Sequence, residues 1–223
     1  MKIEKQFLKG VKDMDFDKVN EYIENLYKKE GVDKKTYIDN TSFKDFIPVV
    51  DQDVSRFLSL VLCLTNATSV LEIGTSIGYS TVSMANTIKS NDGKIITVEF
   101  DNIVAKQAKE NFIRSGVDDI IDIRIGDAKE ILPSLNEKFD LIFLDVDKRL
   151  YKPLLGECIR LLKENGVLLA EDTLFPVIDL DEKWHYLIPA IEEFNHAIVA
   201  SEEIQSTILP IGDGVTVAVK KKK

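Results

Sequence analysis

Val70-Leu71-Glu72-Ile73-Gly74-Thr75-Ser76-Ile77-Gly78-Tyr79-Ser80 is the stretch that decides the fold of this chain. An apolar run enters a turn bounded by two glycines, and a helical pattern follows. A carboxylate stands two residues before the first glycine. An open α/β sheet builds its nucleotide-type pocket in this way, at the carboxyl end of its first strand.

Downstream, short apolar runs alternate with helical patterns. Ser69–Ile73, Lys94–Glu99, Ile120–Ile125, Phe139–Leu144 and Val167–Ala170 read as strands, with helices between them. Gly93, Gly116 and Gly166 fall at turns or helix ends. This alternation predicts βαβ units and a parallel sheet covered on both faces. The end departs from it. Glu202–Leu209 and Val215–Val219 flank Pro210-Ile211-Gly212-Asp213-Gly214, a hairpin signal that predicts a closing antiparallel strand. The fold class is therefore α/β, Rossmann-like and mostly parallel.

Upstream, Phe16, Val19, Tyr22, Ile23, Leu26 and Tyr27 recur at helical spacing, and Gly31 ends that pattern. Val54, Phe57, Leu58, Val61 and Leu62 form a second helix leading to Asn66. Residues 36–50, with Pro48, read as a loop near the site. One domain is expected, with a helical extension over 1–66 and the core over 67–223.

The chain has 223 residues, enough for one sizeable core. Its 38 acidic residues against 29 basic give a net charge of −9, which disfavours nucleic acid and anionic membranes as partners. The basic run Lys220–Lys223 reads as a solvated tail. Residues 1–20 lack the apolar core of a secretory signal, and no run approaches about 18 uncharged apolar residues. Cys63 and Cys158 lie in apolar helical patterns and read as buried, reduced thiols, which fits a cytoplasmic protein.

The turn narrows the ligand. A dinucleotide fingerprint needs a middle glycine where this chain has Ser76. Glu72, read at the mouth, would repel a pyrophosphate and suits a ligand with an ammonium and a sulfonium. S-adenosyl-L-methionine is such a ligand. Glu99, 21 residues after Gly78, can accept hydrogen bonds from both ribose hydroxyls. Gly126-Asp127-Ala128 ends the third strand, where a carboxylate and a backbone amide can read adenine.

Strand four ends in Leu144-Asp145-Val146-Asp147-Lys148, and strand five in Ala170-Glu171-Asp172-Thr173. Adjacent strands lie roughly 5 Å apart, so Asp145, Glu171 and Asp172 should share one small volume. Crowded carboxylates repel unless a cation joins them, and oxygen ligands favour Mg²⁺, Ca²⁺ or Mn²⁺. Lys148 reads either as an ion pair to Asp147 or Glu171, or as a general base with a lowered pKa. His185 and His196 read as surface or packing residues.

Six motifs in order then resemble the cation-dependent O-methyltransferases of the caffeoyl-CoA and catechol type. They are LEIGTSIGYS at 71–80, TVEFD at 97–101, GDAKEILP at 126–133, FDLIFLDVDKRLY at 139–151, NGVLLAEDTLF at 165–175 and LPIGDGVTVAVKK at 209–221. The resemblance implies a seven-stranded sheet and a homodimer. It implies S-adenosylmethionine contacts from Glu72, Gly74, Thr75, Ser80, Glu99, Asp127, Ala128 and Asp145, with residues 47–50, Val50 among them, over the methionine end. Asp145 becomes a metal ligand and Lys148 the base. Where the family's fifth strand ends Asp-Asn, this chain has Glu171-Asp172, a site with three formal negatives.

The expected reaction is metal-assisted O-methylation of a small hydroxylated acceptor, catechol-like and aromatic. Three other readings compete. A hydroxylated uridine of tRNA needs a basic surface that the net charge opposes. A nucleotide-dependent oxidoreductase is opposed by Ser76 and Glu72. A cofactor-binding protein without activity would read Glu171-Asp172 as lost metal affinity.

Overall fold

The computed structural model describes residues 16–27, 32–43 and 49–222. The expectations for Gly31, Pro48 and residues 1–15 lie outside them. The chain divides at residue 31 into two units. In the first, α1 spans Phe16–Leu26.

The second unit begins with α2 (Lys34–Asp39) and α3 (Gln52–Thr65). Both lie in the unit that holds the sheet. The loop expected over 36–50 therefore begins with the last four residues of a helix. Residues 34–39 form a helix because the Asp33 carboxylate accepts the Thr36 amide at 2.7 Å, an N-cap that offsets a short helix's unmade bonds.

The strands are β1 (Ser69–Ile73), β2 (Lys94–Glu99), β3 (Ile121–Ile125), β4 (Phe139–Leu144), β5 (Leu162–Ala170), β6 (Ile204–Leu209) and β7 (Val215–Lys220). They form one seven-stranded sheet in the order β3-β2-β1-β4-β5-β7-β6. The first five pair in parallel; β7 pairs antiparallel with β5 and β6, as the hairpin signal predicts. The helices between are α4 (Tyr79–Ile88), α5 (Asn102–Ser115), α6 (Ala128–Ser134), α7 (Tyr151–Leu161) and α8 (Ile188–Ala200).

Strand alternation splits the core in two. Leu71, Ile73, Ile142, Leu144 and Leu168 face α7 and α8 through Tyr151, Leu154 and Phe194. Val70, Leu141, Phe143 and Leu169 face the other side, with Leu58, Leu62, Val82 and Phe112. The central strands carry near-continuous apolar runs because both faces are covered. Cys158 is buried as read. Cys63 is exposed, because α3 turns that position away from the core.

The chain leaves β1 toward β2 on one side and reaches β4 on the other. The carboxyl ends of β1 and β4 are therefore the topological switch point, where open α/β sheets bind ligands.

Candidate active site

The turn after β1 is left-handed at three residues: Gly74 (φ 104°), Ser76 (φ 48°) and Gly78 (φ 85°). A Cβ on Gly74 would lie 1.9 Å from the Asp145 carbonyl oxygen. Only glycine lets the turn lie against the backbone leaving β4. A Cβ on Gly78 would lie 2.4 Å from the Phe112 ring.

Glu72 is not at the mouth, as the sequence reading has it. It faces the α3–α4 side of the sheet, fully buried. Ser80 Oγ donates to its Oε1 at 2.5 Å, Thr97 Oγ1 donates to its Oε2 at 2.6 Å, and Thr81 Oγ1 donates to Oε2 as well. Thr75 Oγ1 lies 2.6 Å from Thr97 Oγ1. Burial pushes the Glu72 pKa up to about 7 against these hydroxyl bonds. The carboxylate thus ties β1, β2 and the first turn of α4 beneath the glycine turn.

Glu99 closes β2. Its Oε2 accepts the Ser76 amide at 2.8 Å and its Oε1 accepts the Asp101 amide at 2.9 Å. Burial raises its pKa above the usual carboxylate range. Asp127 caps α6, accepting the Lys129 amide at 2.8 Å, and Ala128 beside it is buried. Val50 is also buried, in the core that holds α3.

The acids of β4 and β5 converge as read. Leu144 is level with Ala170. Carboxylate oxygens of Asp145, Glu171 and Asp172 all lie within 4.8 Å of one another. Asp172 sits at φ 62°, a left-handed conformation that costs an aspartate about 1 kcal/mol or more and aims its side chain back toward Asp145.

Lys148 lies in this cluster. Its Nζ is 2.7 Å from Asp145 Oδ1, 2.7 Å from Asp172 Oδ2 and 3.0 Å from the Tyr151 hydroxyl, which uses all three ammonium donors. Its expected partners, Asp147 and Glu171, are not its ion pairs. Asp147 instead caps the 3₁₀ turn Lys148–Leu150 and pairs with Arg149. Nor is its pKa lowered. Burial opposes its charge, but Asp145, Tyr151 and Asp172 outweigh burial and hold the pKa well above that of a free lysine. Burial and Asp172 push Glu171 well up; Asp172 is held low because Lys148 outweighs burial there.

Several neighbours were not read from sequence. The β6–β7 loop folds over the acids. The Gly212 amide donates to Asp53 Oδ2 at 3.1 Å, and a Cβ on Gly212 would lie 3.5 Å from Glu171 Oε1. Asp213 has its pKa raised by burial and by Asp172. Thr173 and Leu174 donate their amides to the Gly214 and Asp213 carbonyls, both at 3.0 Å. His185 and His196 are exposed and take no part.

Three oxygen-only donors fit a hard divalent cation better than zinc, which takes nitrogen and sulfur ligands more readily.

The strand order β3-β2-β1-β4-β5-β7-β6, with β7 antiparallel and a glycine turn at the switch point, is the fold of a solved O-methyltransferase of Klebsiella pneumoniae, with a TM-score of 0.79 at 27% identity, spanning 92% of this chain and 96% of that one. The O-methyltransferase family model matches residues 23–221. The chain is 33% identical over 220 residues to a catechol O-methyltransferase of Niastella koreensis, spanning 92% of this chain and 98% of that one. It is 32% identical over 182 residues to caffeoyl-CoA O-methyltransferase 1 of Eucalyptus globulus, spanning 76% and 74%. An SAH-bound methyltransferase of Podospora anserina shares the fold, with a TM-score of 0.80 at 22% identity, spanning 94% of this chain and 98% of that one. The chain belongs to the O-methyltransferase family and is an S-adenosylmethionine-dependent enzyme.

Proposed function

We propose that the protein transfers a methyl group to a hydroxyl of a small catechol-like aromatic acceptor, with a divalent cation and Lys148 assisting. The observation that carries this reading is the meeting of Asp145, Glu171, Asp172 and Lys148 beside the β1 turn. The names of the catechol and caffeoyl-CoA relatives support the acceptor class.

S-adenosylmethionine supplies an electrophilic methyl on a sulfonium. Gly74, Thr75 and Ser80 shape its seat, with Val50 assigned to the methionine end. Glu99 is assigned to the ribose, and Asp127 with Ala128 to the adenine. Glu72 holds the turn from below. Asp145, Glu171 and Asp172 would hold the cation, which would supply charge neutralisation and Lewis acidity toward a bound hydroxyl.

Lys148 must give up its bonds to Asp145 and Asp172 and be neutral to act as base. Its Nζ then accepts the acceptor's hydroxyl proton, while the freed oxygen pair forms the new C–O bond. The C–S bond breaks and its pair stays on sulfur. Alignment of the two reactants is the main source of rate. The reading extends to a homodimer in the cytoplasm, to be tested by light scattering and cell fractionation. Among the described residues no helix is long and apolar enough to cross a membrane.

Methyl transfer to a panel of catechols, with and without EDTA, tests the reaction. Chelation should abolish product. Full activity in EDTA overturns the cation's role, and absence of S-adenosylmethionine binding by calorimetry overturns the whole reading.

A further inference from the structure

We infer that Tyr151 is a positioning residue. Its hydroxyl fixes Lys148 and locks together the two strand ends that carry the acids. This rests on the roles proposed above for Lys148 and the three carboxylates.

Tyr151 opens α7 and is fully buried. Its hydroxyl lies 3.0 Å from the Leu144 carbonyl and 3.0 Å from the Glu171 carbonyl. The first belongs to the peptide leading into Asp145, the second to the peptide between Glu171 and Asp172. The same oxygen accepts the Lys148 ammonium at 3.0 Å. One phenol therefore touches the last carbonyl of β4, the first carbonyl beyond β5 and the proposed base.

The peptide ladder ends here. Glu171 donates its amide to the Leu144 carbonyl at 3.2 Å, and the strands then part. Past that point the single O–H, shared between the Leu144 and Glu171 carbonyls, bridges them. The ring cannot swing away, because it packs edge-on against Phe194 with centroids 5.2 Å apart. Its ring face also lies 5.1 Å from Lys148 Nζ. A hydrogen-bonding group on a rigid ring is suited to hold a flexible lysine in one rotamer. When the lysine releases Asp145 and Asp172, the Tyr151 contact is the one that keeps it near the acceptor.

Tyr151→Phe removes the hydroxyl and keeps the ring. It should lower kcat at least about tenfold, since small displacements at reacting groups cost that much or more. Binding of S-adenosylmethionine by calorimetry should stay within about twofold. Amide hydrogen exchange at residues 144–148 and 171–174 should speed up several-fold. Cys158→Ala is the control: it opens a small void in the same helix and leaves both the Tyr151 hydroxyl and its Phe194 packing in place, and at a comparable loss of stability its kcat should stay within about twofold of the wild type. Wild-type kcat and exchange in Tyr151→Phe overturn the inference. So does a fall in kcat that Cys158→Ala reproduces. If the wild-type protein methylates no catechol, the proposed reaction fails, and hydrogen exchange alone decides whether Tyr151 ties the strand ends.

Discussion

Glu72 and Thr97 stand directly opposite each other on β1 and β2, joined by a 2.6 Å hydrogen bond in a fully buried setting. An acid there is expensive, and three hydroxyls keep it tolerable. Its folded pKa of about 7 lies above the ordinary 4.5. The folded state therefore holds a proton that the unfolded state releases between those values. Stability is greatest below pH 4.5 as far as this group is concerned, and falls as pH rises toward 7, by about 3 kcal/mol at most. Glu72→Gln should flatten that slope. Melting temperatures from pH 5 to 8 check it; parallel curves for the two proteins would refute the assignment.

Lys148 and a divalent ion compete for the same oxygens. Lys148→Met should lower kcat by about 10²-fold or more. It should also tighten Mn²⁺ binding by at least about tenfold, because a neighbouring positive charge is removed from a poorly screened site. Calorimetry with Mn²⁺ alone checks the second outcome. Equal affinities would mean the ammonium is no competitor.

Gly74 and Gly116 are both left-handed, at φ 104° and φ 64°, but differ in surroundings. A Cβ on Gly116 meets nothing within 4 Å, whereas on Gly74 it meets backbone at 1.9 Å. Gly116→Ala should cost about 1 kcal/mol, from backbone strain alone. Gly74→Ala should cost well over about 3 kcal/mol and abolish cofactor binding. Urea melts of both variants measure the difference.

Asp140 accepts the Thr68 and Ser69 amides at 3.1 and 3.0 Å and pairs with Lys163 at 2.8 Å. Burial opposes its charge, yet these bonds bring its pKa down to about 2. Its contribution to stability is therefore present above pH 3.8 and lost as pH falls through 2. Asp140→Asn should lower stability near neutrality and weaken its dependence on pH between 4 and 2, read from acid titration by circular dichroism.

Much of this was legible in sequence. The glycine turn, the alternation and the Pro210–Gly214 hairpin announce the sheet, because each is a local pattern. Asp145, Glu171 and Asp172 could be placed together because strand ends in a parallel sheet are neighbours. Other features are long-range. Glu72 shares the inward face of Val70, which period-two alternation signals. Its hydroxyl partners, however, come from α4 and β2. Lys148 turned to Asp172 instead of Asp147 because residues from two strands compete for it. Tyr151 stands in the sequence only as the last residue of the 139–151 motif, and nothing local to it says which carbonyls its hydroxyl will meet. Cys63 was misplaced because the apolar pattern of α3 is wider than its buried face.

The hairpin that ends the sheet has a consequence for how the enzyme can change. Its loop, residues 210–214, joins Asp53 at the start of α3 and the backbone after Asp172. One wall of the acid pocket is thus built from two segments remote in sequence, neither of which belongs to the glycine turn. In the proposed reaction that wall faces the acceptor, so substitutions at 210–214 would change what the pocket admits without altering Gly74, Thr75 or Ser80 of the β1 turn.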